Sequence, residues 1–282
     1  GQITFPSAGE LRRTVGEVPI EKMMVETDCP YLAPQQYRGK RNEPGYLTQI
    51  AGEVARIKGL SPADIGRITT FNVTDLFGIG AHDRSGKIAY QIRDSLYLNI
   101  TNACTSACRF CVRYYSDYVK GHNLRLLADP SYEEIVAAIG DASRYKEVVF
   151  CGYGEPLLRL DVVKKIAASV KAKGVSVRID TNGHGNLIHR RTIAPELKGL
   201  VDAISISLNA DTKEKYFRIC QPQYGVGTYD EVKRFVRDCK EAIPRVAVTV
   251  VAVPEVDVEA CKRIAADELG VELRVRKYDD VG

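Results

Sequence analysis

Apolar residues in this chain come in short, β-branched runs separated by amphipathic segments, and that alternation organises everything after residue 95. The runs occupy 96–100, 148–150, 175–179, 203–208, 246–253 and 271–275. Near-continuous apolar character over so few positions is the mark of a strand covered on both faces. Between the runs, apolar positions recur at helical spacing. Over 160–173, Val162, Val163, Ile166 and Val170 fall on one stripe, and Gly174 is placed to end the helix. Ser131 with Glu134 and Thr228 with Glu231 have the spacing of a capping box. Cys239 shares the stripe of Val232 and Phe235, and Cys261 that of Val258 and Ala265, so both are expected to be buried thiols. Strands alternating with helices imply a parallel sheet with right-handed crossovers. Six such units within 95–282 fall short of an eightfold barrel, which takes about 250 residues. The expectation is therefore an α/β fold, an open partial (β/α)6 barrel.

Residues 1–79 read differently. Positions 1–5 suggest a strand, 8–15 a helix, and 22–26 a second strand. Two strand–helix units cannot bury their sheet faces alone. They need cover from the second domain or from residues missing from the chain, failing which they stay poorly ordered. Gly1 is not a translation start, and the chain is expected to be a piece of a longer fusion. Residues 80–94, punctuated by Gly80, Ser85 and Gly86, read as a linker.

The chemistry begins at Cys104, Cys108 and Cys111, on the segment leaving the first run of the second domain. Three thiolates so spaced on a loop can be aimed at one point. A structural zinc ion or an electron-carrying iron–sulfur cluster normally takes four protein ligands, whereas a cubane held by three leaves one iron open. A zinc site completed by Cys151 or a histidine is the first alternative, and buried thiols without a ligand role the second. Downstream, the apolar run 148–150 meets a turn made of Gly152, Tyr153, Gly154 and Glu155. Glycine lets a backbone approach a ligand closely, and a carboxylate beside carbonyls suits an ammonium group. Asp180 and Asn182 follow the third run, and Ser205, Ser207 and Asn209 the fourth. In parallel barrels the carboxyl ends of strands carry the site. For the serines, ordinary strand positions bonded to backbone are the alternative. Cys220 falls in a loop, and Arg113, Arg218 and Arg276 are cations that an anionic substrate would meet unless they are surface residues.

The cysteine spacing, with Phe110 just before the last cysteine, resembles the signature of the radical S-adenosylmethionine enzymes. Residues 95–282 as a whole resemble the members of that family associated with TatD-type nucleases. The resemblance implies a radical SAM core and a 4Fe–4S cluster on Cys104, Cys108 and Cys111. Its open iron would chelate S-adenosylmethionine, whose reductive cleavage gives a 5′-deoxyadenosyl radical for hydrogen abstraction from an unknown substrate. It further implies that Gly152, Tyr153, Gly154, Glu155 and Asp180, with Asn182, surround the cofactor's amino group. Ser205, Ser207 and Asn209 would meet its ribose, and Phe110 its adenine. Tyr153 stands where the family has a glycine. An electron donor such as a flavodoxin or ferredoxin is the implied partner, and a cytoplasmic, reducing compartment the implied location. A non-enzymatic electron carrier is a competing class, but it needs a fourth ligand and no cofactor pocket.

The string Glu26-Thr27-Asp28-Cys29-Pro30 resembles the end of the TatD-type metal-dependent deoxyribonucleases, whose barrel is a complete (β/α)8. Residues 1–79 would be its C-terminal remnant, and Asp28 a vestigial divalent-metal ligand. His82, His122, His184 and His189 match none of that family's motifs. A divalent metal and hydrolase activity are therefore expected only with a complete barrel. Lys and Arg exceed Asp and Glu by 40 − 36 = 4, without a basic stripe that would call for nucleic acid. No apolar run approaches the ~20 residues of a membrane span.

Overall fold

The computed structural model describes residues 1–80 and 85–278. They fall into two compact units, one of residues 1–80 with the short segment 118–122, the other of 85–117 with 123–278. His82 lies outside the described residues.

The first unit is helical. Helices α1 (Gly9–Glu17), α2 (Leu47–Lys58) and α3 (Pro62–Phe77) supply its frame. Ile50, Val54, Ala55, Ile65 and Ile68 form its core with Ile3 and Ile20. Ser61 and Asp64 cap α3 reciprocally, at 3.1 Å in each direction. The strands expected at 1–5 and 22–26 are not there: Gln2–Thr4 and Ile20–Lys22 are 3₁₀ turns, and 23–28 belongs to no sheet. The cause is physical. A strand needs a neighbour for its N–H and C=O groups; among the described residues neither segment pairs with one, and Ile3 and Ile20 are buried against the helices instead.

The second unit is built on a seven-stranded sheet. In chain order its elements are β1 (Ala89–Ile92), β2 (Ser95–Leu98), α4 (Tyr132–Ile139), β3 (Glu147–Phe150), α5 (Leu160–Lys171) and β4 (Ser176–Thr181). There follow α6 (Gly185–His189), α7 (Ala194–Leu197), β5 (Ala203–Ser207), α8 (Lys213–Cys220), α9 (Thr228–Ala242), β6 (Arg245–Val251), α10 (Val258–Arg263) and β7 (Glu272–Arg276). Neighbours in the sheet are neighbours in sequence, and all pairs from β2 to β7 are parallel. Those six strands match the six apolar runs.

The seventh, β1, runs antiparallel to β2 inside the segment read as a linker. A two-residue turn, Arg93-Asp94, joins the pair, with Arg93 in the left-handed region at φ 56°. One further expectation needs correction. Thr228 does not cap α9: Gly227 is its N-cap, and Thr228 Oγ1 donates to the Gly225 carbonyl at 2.6 Å. Ser131 does cap α4 as the spacing predicts.

The sheet has two unlike faces. One face, with Leu96, Leu98, Val148, Phe150, Val177, Ile179, Ile204, Ile206, Val248 and Val250, is buried under the helices. Cys239 and Cys261 lie fully buried in the same layer. Positions of opposite parity carry Tyr97, Glu147, Arg178, Asp180, Ser205, Ser207 and Thr249. Arg178 makes ion pairs with Glu147 (3.3 Å) and Asp180 (2.5 Å) on this second, polar face. Among the described residues no helix is long and apolar enough to cross a membrane.

Candidate active site

The cysteine loop leaves β2 through Asn99, which is fully buried. Asn99 Nδ2 donates to the carbonyls of Lys87 (3.2 Å) and Leu124 (2.7 Å), while Oδ1 accepts from the Tyr153 amide (3.2 Å). Further on, the loop is stitched to the end of α8. The amides of Ala107 and Arg109 donate to the carbonyls of Cys220 and Ile219, both at 3.0 Å, and the Gln223 amide donates to the Thr105 carbonyl at 3.0 Å. The Cys111 amide closes a turn on the Cys108 carbonyl (3.0 Å). The loop is thus held by the Asn99 side chain where it leaves β2 and by backbone bonds to the end of α8 between Cys104 and Cys111.

All three cysteines are free and half-buried. Burial pushes the Cys104 thiol up to about 11 and raises that of Cys111. The Cys108 thiol is raised first by its bond with the Cys220 thiol and then by burial. Among the described residues, no group of three or more His, Cys, Asp or Glu side chains is placed to hold a metal ion. Cys151 lies on the polar sheet face, beside Asp180, and burial lifts its thiol to about 12.

The glycine turn runs hard against this loop. A Cβ on Gly152 would stand 2.2 Å from Asn99 Oδ1, and one on Gly154 2.3 Å from the Ala103 carbonyl and 2.4 Å from that of Thr101. Only hydrogen fits at either place. Tyr153 turns away, its hydroxyl donating to the Ser116 carbonyl, which accommodates a side chain where the family has none.

Glu155 is 2% exposed and knots two strand ends together. Oε1 accepts from the Leu157 amide (2.9 Å) and Thr181 Oγ1 (2.8 Å), Oε2 from the Asn182 amide (2.7 Å). Burial pushes its carboxyl up to about 7, against the pull of those three donors. Asn182 continues the chain of contacts: Nδ2 donates to Thr105 Oγ1 (2.9 Å) and lies 3.7 Å from Cys104 Sγ.

Residues that the sequence reading passed over complete the network. Thr105 Oγ1, already an acceptor from Asn182, is hydrogen-bonded to His184 Nδ1 at 2.7 Å. His184 Nε2 is in turn hydrogen-bonded to the Tyr216 hydroxyl at 2.8 Å. His184 is fully buried, and burial lowers its pKa to about 4, so the ring is neutral near pH 7. No motif marks this trio.

Of the other expected site residues, Asp180, Ser205 and Ser207 share the polar face of the sheet. Asp180 and Ser205 are partners in register on the polar face, and Ser207 pairs with Thr249. Asn209 is buried, with φ at 55°, a conformation asparagine tolerates better than most residues. Phe110 lines a cavity of about 500 Å³ with Cys108, Tyr114, Tyr115 and Gln221. Glu155, Asp180, Ser207 and Asn209 do not line it. In the first unit, Asp28 is exposed. Its loop is pinned by Asn42, whose Nδ2 donates to Thr27 Oγ1 (2.9 Å) and the Tyr31 carbonyl (2.6 Å).

The donor set around the cysteines fits a cluster. Three thiols stand on one loop, and two buried polar atoms of that loop, Ser106 Oγ and Arg113 Nε, have no partner among the described residues. Unsatisfied buried donors call for an acceptor that the chain itself does not provide.

Comparison with known proteins gives two family matches along the chain. Residues 98–267 match the family model of the radical SAM superfamily, and residues 1–78 that of TatD related DNase. An uncharacterized metal-dependent hydrolase of Bacillus subtilis is 42% identical over 79 residues, 28% of this chain and 31% of the relative. One from Escherichia coli K12 is 41% identical over 81 residues, 29% and 31% of the two chains. The chain thus spans about a third of the length of the curated relatives it matches. Among solved structures, Streptococcus suis SuiB bound to S-adenosylmethionine aligns with a TM-score of 0.49 at 14% identity, over 86% of this chain and 55% of that one. A radical SAM methyltransferase from Sphaerobacter thermophilus aligns at 0.41 and 17%, over 67% and 68%.

Proposed function

The chain belongs to the radical SAM superfamily, and from that premise we propose that Cys104, Cys108 and Cys111 hold a 4Fe–4S cluster that binds S-adenosylmethionine. When bound, the cluster supplies the electron that cleaves the cofactor reductively. The observation that carries the reading is the cysteine loop itself: three free thiols on a segment bonded through its backbone to the end of α8, with two buried polar atoms unpartnered among the described residues. A flavodoxin or ferredoxin is the proposed electron donor, and the substrate is open.

The chain's own part is to position and to exclude water. Glu155 Oε2 accepts one bond from the chain against two at Oε1, so it has capacity for the cofactor's ammonium. Gly152 and Gly154 let the backbone beside it come close. The Asn182–Thr105–His184–Tyr216 relay fixes the residue next to Cys104 without carrying charge. We assign Phe110 to the adenine, Ser205, Ser207 and Asn209 to the ribose, and Asp180 to the amino group, by the family's pattern. Asp180 already pairs with Arg178, so its contact with the cofactor requires sharing that partner. Asp28, exposed and apart from any metal-ligand cluster among the described residues, is assigned no catalysis here. Hydrolase activity is proposed only for a complete TatD barrel.

Anaerobic reconstitution of the full chain tests the cluster. About four irons per chain are expected, with an electron paramagnetic resonance spectrum that changes on adding S-adenosylmethionine. Cys108→Ala is expected to lose both properties; a variant that keeps them overturns the ligand assignment.

A further inference from the structure

Arg113 is an unusual cation. Nη2 donates to the Ser106 carbonyl (2.7 Å) and the Tyr114 hydroxyl (2.8 Å), and Nη1 reaches the Asn102 carbonyl at 3.5 Å. Its guanidinium lies over the Tyr114 ring, 4.9 Å from the centroid. Among the described residues its recorded bonds go to carbonyls and a hydroxyl, never to a carboxylate. Nε is buried and without a partner, and so is Oγ of Ser106, to whose carbonyl Arg113 is bonded. The two orphan donors therefore stand together, inside the loop bearing the three cysteines.

Charge gives them a purpose. Arg113 carries a positive charge two residues after Cys111, and its bond to the Ser106 carbonyl ties it to the stretch between Cys104 and Cys108. A cubane bound by three thiolates is a net anion, and its sulfurs accept hydrogen bonds. A half-buried guanidinium with a buried Nε, and without a carboxylate partner among the described residues, matches that demand, and its rigid donors suit a fixed acceptor. Net charge and hydrogen bonds to sulfur are among the factors that set the potential of such clusters.

We propose that Arg113 Nε–H and Ser106 Oγ–H donate to sulfur atoms of the bound cluster, and that Arg113 is the positioning residue that raises its reduction potential. The proposal rests on the cluster reading above and adds the means by which this chain tunes the cluster.

The test is a redox titration of the reconstituted full chain, followed by electron paramagnetic resonance without S-adenosylmethionine, beside a calorimetric dissociation constant for that cofactor. Arg113→Met is expected to shift the midpoint potential to more negative values, Ser106→Ala to shift it the same way by less, and Arg113→Lys to fall between wild type and Arg113→Met. Affinity for S-adenosylmethionine should change by less than threefold in all three. An unchanged potential in Arg113→Met overturns the proposal. So does a tenfold or greater loss of affinity at constant potential, which would assign the guanidinium to the cofactor's carboxylate. If Arg113→Met fails to retain iron, the Ser106→Ala and Arg113→Lys potentials decide: no shift in either overturns the proposal. A wild-type chain that binds no four-iron cluster sinks the underlying reading instead, so the two failures are distinguishable.

Discussion

Gly154→Ala is expected to cost the second unit several kcal/mol of stability and to abolish S-adenosylmethionine binding. The added methyl would sit 2.3 and 2.4 Å from two carbonyl oxygens, those of Ala103 and Thr101. Both belong to backbone, so no side-chain rotation relieves the overlap. The Glu155 amide bonds the same Ala103 carbonyl at 2.8 Å, and moving that carbonyl breaks the bond. Overpacking typically costs about 1–3 kcal/mol where side chains can adjust, and here they cannot. Because residues 101–103 lead directly into Cys104, the displacement also reaches the proposed cluster ligands. Gly66→Ala is the control: the new methyl would meet nothing within 4 Å, and a mid-helix alanine favours the helix by up to about 1 kcal/mol. Urea unfolding and iron content of the two variants are the measurements. Wild-type values for Gly154→Ala would contradict the packing of the two loops.

Glu155→Ala is the second large effect. Removing the carboxylate strands three donors, the Leu157 and Asn182 amides and Thr181 Oγ1. At about 1–3 kcal/mol for each unsatisfied buried group, a loss of about 3 kcal/mol or more is expected.

Its pH dependence is distinctive. Glu155 has a folded pKa near 7, above the usual 4.5, because of burial. Between those values the folded chain holds more protons than the unfolded one, so the contribution of Glu155 to stability falls as pH rises from 4.5 to 7. His184 runs the other way: burial lowers its pKa from 6.5 to about 4, so its contribution rises with pH across that window. The two slopes oppose each other in the wild-type apo chain. Glu155→Gln removes one of them. The stability difference between wild type and Glu155→Gln should therefore shrink as pH rises from 4.5 to 7, by on the order of 3 kcal/mol at about 1.36 kcal/mol per pKa unit. Unfolding measured across that range checks it, and a difference independent of pH rules out a buried carboxyl with a raised pKa.

The six parallel strands were legible because their helix-covered faces are apolar, from Leu96 to Leu273. Their other face is less apolar than the runs imply, with Arg178 and Glu147 paired on it. β1 escaped because four residues with one buried side chain, Tyr90, leave too weak an alternation to see. The false strands at 1–5 and 22–26 have a different cause. Their apolar positions are real, since Ile3 and Ile20 are buried, but burial against helices leaves the same trace as burial in a sheet.

In the site, spacing alone exposed the three cysteines, because a loop brings near neighbours together. The relay from Asn182 to Tyr216 joins positions separated by 77, 79 and 32 residues. Only the parallel crossovers bring such residues together, so no local pattern could reveal them. Glu155 stands out in the sequence by its glycine turn, but its bonds to three groups of the chain do not, since they depend on where β3 and β4 end.

The most direct test of the central claim is chemical. The reconstituted full chain, reduced anaerobically with dithionite and given S-adenosylmethionine, is assayed for 5′-deoxyadenosine and methionine by mass spectrometry. The account predicts that both appear in equal amounts with the wild-type chain and that neither appears with Cys108→Ala. No 5′-deoxyadenosine from a chain carrying its full complement of iron, or equal formation by Cys108→Ala, would contradict it.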